Sequence, residues 1–194
     1  MTLEAETLEA RSRDRAGAGR TRFRALAPLV LFASATWLAL TAWLLLWPDS
    51  DEPVSVSVDA VVPLAGADGQ RLRAARDLLA EQPEAALVLS MGDDRETTAA
   101  CQRPAEGVHC FRADPHRTSG EARAIGRLAR QHGWKSVAVV TTTTHLTRAR
   151  LLIEQCVDGE VVMIDAGLWR GELPGRLLRE WGGLLGAFTF DRAC

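Results

Sequence analysis

One stretch constrains this chain more than any other: Val137-Ala138-Val139-Val140, then Thr141 to Thr144, then His145-Leu146-Thr147-Arg148-Ala149-Arg150. A continuous run of β-branched and small apolar residues reads as a strand covered on both faces. The threonines can cap a following helix with their hydroxyls. His145 and Arg148 are three apart and share a helix face. A helix that begins just past the carboxyl end of a parallel strand offers free backbone N–H groups to an anion. Thr141, His145 and Arg148 therefore mark a candidate ligand mouth.

The flanking sequence alternates strand and helix signals. Ser57 to Leu64 reads as a strand, and Gln70 to Glu81 as a helix burying Leu72, Ala75, Leu78 and Leu79. Ala86 to Ser90 is a second strand. Met91 to Arg117 reads as a long polar loop. Gly120 to Gln131 is a helix, with Ala122, Ile125, Leu128 and Ala129 at helical spacing. After the central strand, its helix runs to about Cys156, followed by a strand from Glu160 to Asp165 and a helix from Pro174 to Phe188. This order implies an α/β domain with a doubly wound, mostly parallel sheet and right-handed crossovers.

The domain occupies residues 57–194, and what precedes it differs in kind. Residues 1–24 are polar and arginine-rich and read as a disordered tail. Ala25 to Trp47 carries no charged residue and is about long enough to cross a bilayer as one helix, with Trp37, Trp43 and Trp47 as candidate interface anchors. Residues 48–56 form an acidic linker. Arginines before the span and Asp49, Asp51 and Glu52 after it place the N-terminus in the cytoplasm and the domain outside, at the plasma membrane. A cleaved signal peptide is the alternative, but the run is long for one and no Ala-x-Ala site follows Trp47. With a net charge of −2, the chain has no basic surplus that would favour nucleic acid as a partner.

All four cysteines, Cys101, Cys110, Cys156 and Cys194, follow the span, as disulfides on an exported domain would. Cys101 and Cys110 flank one short loop, which favours Cys101–Cys110 with Cys156–Cys194. Free thiols are the rival reading. Without a Cys-x-x-Cys or a His-x-x-x-His pair, no metal site is expected.

In such sheets ligands bind beyond the carboxyl ends of the strands. Gly66 and Gly69 follow the first strand, with Arg71 in the next helix as a clamp for phosphate or carboxylate, or as a plain solvated arginine. Ser90, Gly92, Asp93 and Asp94 follow the second strand. The aspartates could serve as base or metal ligand, or be loop acids. Thr118-Ser119-Gly120-Glu121 has capping-box spacing, and Glu121 could equally face the ligand. His116 and His132 read as surface histidines, and His109 lies within the cysteine loop.

Five ordered segments carry a resemblance: Asp59-Ala60-Val61-Val62-Pro63-Leu64-Ala65-Gly66; Arg71; Val88-Leu89-Ser90-Met91-Gly92; Thr118-Ser119-Gly120-Glu121-Ala122; and Val140 through Ala149. Together they resemble the YdcF-like family, which includes the SanA and ElyC envelope proteins. The resemblance covers about Asp59 to Ala166. It implies a Rossmann-like domain, often membrane-anchored, linked to envelope integrity and to peptidoglycan or lipid-carrier metabolism. Carried over by position, it points to Gly66, Arg71, Ser90, Gly92, Glu121, Thr141, His145 and Arg148. Ala65, Met91 and Gly120 depart from the family pattern.

The resulting expectation is a single-span envelope protein binding an anionic, phosphorylated precursor. Arg71 and Arg148 would hold the anion, His145 would act as acid and base, and Glu121 would orient or share its proton. The alternatives are a scaffold without turnover and a binder of S-adenosylmethionine or a nucleotide.

Overall fold

The computed structural model describes residues 26, 28–51, 57–66, 69–92, 95–168, 173–189 and 192–194. These fall into two compact units that divide after Ala42. Helix α1 (Pro28–Leu46) is 19 residues long, close to the roughly 20 needed to cross a bilayer. Leu29, Leu31, Phe32 and Leu38 on it are exposed, where a core helix would bury them. Its last turn, Ala42–Leu46, widens into a π-helix. The expected tail, residues 1–24, lies outside the described residues.

The second unit is built on five strands: β1 (Ala60–Pro63), β2 (Ala86–Ser90), β3 (Val108–Phe111), β4 (Ser136–Thr141) and β5 (Glu160–Asp165). All are parallel, in the order β3-β2-β1-β4-β5. The helices are α2 (Gln70–Glu81), α3 (Arg95–Gln102), α4 (Thr118–His132), α5 (Leu146–Ile153) and α6 (Leu173–Thr189). The winding reverses between β1 and β4, so the crevice that open α/β sheets use for ligands lies there, at the carboxyl ends of those two strands.

Period-two alternation sorts the core. Ala60, Val62, Val137, Val139 and Met163 pack with Ala122 and Ile125 of α4 and with Ala149, Leu152 and Ile153 of α5. Val61, Ala138, Val140, Val162 and Ile164 face the other way, with Ala75 and Leu78 of α2. Both faces are covered, which is why the central strand reads as an unbroken apolar run.

The structure departs from the sequence reading in four places. Strand β1 starts at Ala60 rather than Ser57. The Asp59 carboxylate accepts the N–H groups of Lys135 at 2.6 Å and Ser136 at 2.9 Å, and those bonds hold its pKa below the ordinary value. The stretch expected to be one polar loop contains α3 and β3. Strand β3 has four residues on the sheet edge, too few to show alternation, and α3 is threonine-rich and short. Thr118 is the first residue of α4, not its cap. The N-cap is Arg117, and the Glu121 carboxylate bonds Ala65 N–H instead of closing a capping box. Gly120 beside it is sterically required, because a Cβ there would lie 1.9 Å from Pro115 O. Finally, the chain after α1 is engaged rather than a free linker. Asp51 N–H donates to Met163 O at 2.9 Å, and its carboxylate accepts Met163 N–H at 2.7 Å, which closes part of the open edge of β5. Residues 52–56 lie outside the described residues.

Both expected disulfides are present. Cys101–Cys110 joins α3 to β3, and Cys156–Cys194 fastens the C-terminal residue behind α5. By loop entropy they contribute about 3 and about 4 kcal/mol against the unfolded chain.

Candidate functional site

Each candidate residue sits where the chain leaves a strand at its carboxyl end. Ser90 closes β2, Thr141 closes β4, and Gly66 and Gly92 lie in the loops after β1 and β2. Asp93 and Asp94 lie outside the described residues. The remaining candidates form two neighbouring sets.

The first set holds the loop after β1. Arg71 reaches back from the first turn of α2. Its Nη1 donates to Leu64 O at 3.3 Å and to Ala65 O, and its Nη2 donates to Thr142 Oγ1 at 3.3 Å. Ala65 also donates its own N–H to Glu121 Oε1 at 2.9 Å. One arginine and one glutamate thus grip both ends of one residue and tie β1, α4 and β4 together across the switch point. Burial lowers the Arg71 pKa to about 10, with the Glu121 charge opposing, so the guanidinium stays cationic at neutral pH. Two buried polar atoms here, Arg71 Nε and Thr141 Oγ1, have no partner among the described residues. A cavity of about 20 Å³, lined by Gly66, Arg71 and Ser90 among others, has room for roughly one water.

The second set centres on a residue absent from the sequence reading. Glu180 of α6 accepts Arg148 Nε at 2.7 Å on Oε2 and Arg148 Nη2 at 3.1 Å on Oε1, a bidentate clamp. His145 Nδ1 lies 3.3 Å from Glu180 Oε2, and its Nε2 lies 3.4 Å from Thr118 Oγ1. Arg148 Nη1 donates to that same Thr118 oxygen at 3.1 Å. The donors then settle in one way. Thr118 accepts from Arg148 and turns its hydroxyl hydrogen toward His145 Nε2, while His145 Nδ1–H points to Glu180.

The electrostatics agree with this assignment. His145 is 4% exposed and Glu180 6%. Burial drives the His145 pKa down to about 4, the charges of Arg148 and Arg71 push the same way, and Glu180 pulls against them. Burial alone would raise Glu180, but the bonds from His145 and Arg148 outweigh it and hold it at about 2. At neutral pH the imidazole is neutral and the carboxylate ionised, so the charge partner of Glu180 is Arg148.

Space is reserved for this clamp. A Cβ at Gly183 would fall 2.6 Å from Arg148 Cδ and Nε, so only glycine there lets the arginine lie across α6 onto Glu180.

Two expectations are therefore corrected. The carboxylate that meets His145 is Glu180, and Glu121 serves the β1 loop. The threonines after β4 do not cap a helix: Thr142 accepts from Arg71, and Thr143 donates to Asp165 at 2.9 Å. Glu180 had one legible mark. It is the only acid of α6, and it shares a stripe with Leu184 and Ala187, four and seven residues on, both buried. Among the described residues, no group of three or more His, Cys, Asp or Glu is placed to hold a metal ion.

Compared with known proteins, the chain matches no family model, no curated protein and no solved structure.

Proposed function

We propose that this chain is a single-span membrane protein whose α/β domain works outside the cytoplasm, on an anionic group of a cell-envelope precursor. The length and apolarity of α1 support the anchor. The arginines before it, the acids after it and two disulfides in the domain support an exported domain at the plasma membrane. The motifs shared with the YdcF-like family support a phosphorylated cell-wall or lipid-carrier substrate.

The observation that carries the reading is the chain Thr118 hydroxyl, His145 imidazole, Glu180 carboxylate at the switch point, with Arg148 and Arg71 beside it. A neutral imidazole whose Nδ1–H is fixed by a carboxylate presents an unprotonated Nε2 that can accept a proton in the transition state. In this reading His145 takes the proton of an attacking water or hydroxyl. Glu180 then stabilises the imidazolium, and the arginines offset the charge of the anion. The reaction class is hydrolysis or group transfer.

One observation favours a scaffold without turnover: the Glu180 carboxylate already fills the fork of Arg148. His145→Gln separates the two readings, because glutamine keeps hydrogen bonding and removes the base. In cells lacking the native gene, detergent sensitivity is the readout. The acid–base reading expects His145→Gln to fold, by circular dichroism, and fail to restore resistance. Full restoration would leave the scaffold. A reporter active only in the cytoplasm, fused after Cys194, tests orientation and should stay silent.

A further inference from the structure

Beside the polar cluster, α5, α6 and the last turn of α1 line a groove of about 400 Å³. We propose that it takes one hydrocarbon chain of a membrane lipid, drawn from the leaflet that α1 enters. This rests on the reading of α1 as a membrane span. Its walls are Leu44, Leu151, Trp181, Leu184, Leu185 and Phe188.

Three observations select a lipid tail. The first is continuity with the span. Leu44 lines the groove and belongs to the last turn of α1, Leu45 beside it is fully buried, and Thr147 Oγ1 donates to Leu44 O. The groove therefore includes a residue of the turn in which the apolar helix ends. Trp43 in that turn and Trp47 just after it are exposed, the residue type that settles at membrane interfaces. The second is an outward stripe on α6. Leu178, Leu185 and Phe188 are 66%, 63% and 68% exposed and recur seven and three residues apart, so the surface beside the groove is also apolar. The third concerns polarity. The lining has one cation, Arg150, and it is paired with Asp51 at 2.9 Å and Glu154 at 3.6 Å. An anionic headgroup would find that charge engaged, whereas a hydrocarbon chain needs no polar partner.

The test uses the full chain in nanodiscs of phosphatidylcholine and phosphatidylglycerol, with a trace of phosphatidylcholine carrying a diazirine at one acyl terminus. After irradiation, mass spectrometry maps the cross-links. We expect them on the α6 peptide holding Trp181 and Phe188 as well as on α1. Leu151→Trp, which fills the groove, should lower the α6 yield several-fold and leave the α1 yield unchanged. Leu185→Lys, at an exposed position that leaves the core intact, should do the same if Leu151→Trp fails to fold. Cross-links confined to α1 would overturn the groove and leave the anchor standing. So would efficient oxidative pairing of Phe188→Cys between two chains in the same nanodiscs, which would mark a second copy as the occupant. Recovery of the chain outside alkali-washed membranes would overturn both the groove and the anchor, and the His145→Gln assay stands apart from all of these.

Discussion

Helices α5 and α6 present two faces with opposite chemistry, and neighbouring residues divide between them. Arg148 and Glu180 point into a buried cluster in which Arg148 donates to both Glu180 oxygens and to Thr118 Oγ1. Thr147 and Trp181, each one position away, line an open apolar groove. The inner face buries charge, so its stability depends on complete pairing. The groove side exposes Leu185 and Phe188, which contribute little to folding and are available for contact. Substitutions in the cluster and at the exposed leucines beside the groove should therefore differ sharply in their cost to stability.

Glu180→Ala should give the largest effect. It strands the Arg148 guanidinium in a buried site, and breaking a buried pair from one side costs about 3–5 kcal/mol. Urea melts would show it, and the loss should shrink when Arg148→Ala is added, because the unpaired cation is gone. A double-variant loss equal to the sum of the two single losses would mean that the pair is not coupled.

Acid should act on the same face. His145 has a folded pKa of about 4 against 6.5 in the unfolded chain, so between those values only the unfolded chain binds the proton. Stability is then full above about 6.5 and falls as the pH drops toward 4. Glu180, depressed to about 2 from 4.5, extends the loss as the pH falls from 4.5 to 2. Each leg is on the order of 3 kcal/mol. His145→Gln should flatten the upper leg of a plot of Tm against pH, and an unchanged profile would remove His145 as its source.

Gly183→Ala comes next. The methyl would push Arg148 off Glu180, at about 1–3 kcal/mol as for other overpacked sites, although alanine is the better helix former. A gain in Tm would show that Arg148 can move aside freely. On the outer face, Leu185→Ser should change stability by no more than about 0.5 kcal/mol, as exposed substitutions do. A larger loss would mean that the groove is part of the core.

Much of the fold was legible because local pattern and tertiary environment agree. The apolar run of β4 is long enough to announce burial on both faces, and the helical spacing in α2 and α4 places Ala75, Leu78, Ala122 and Ile125 where the core needs them. β3 and α3 stayed hidden because four edge residues and a short threonine-rich helix carry too little periodicity, and a disulfide supplies what propensity lacks. His145 and Arg148 were readable as a site because they sit beside a recognisable strand end. Glu180 was not tied to them, because 32 residues separate it from Arg148 and only the packing of α6 on α5 joins them.

By itself, then, the sequence determined the alternation of strands and helices, the apolar span and which cysteines could meet, since all of these depend on composition and spacing along the chain. The tertiary structure alone decided which carboxylate answers which base. Glu121 was the nearer guess by motif, yet its side chain is spent on Ala65 N–H, and Glu180 arrives from the far end of the domain. Pairing of buried charges depends on the direction in which a helix packs, and no local pattern records that.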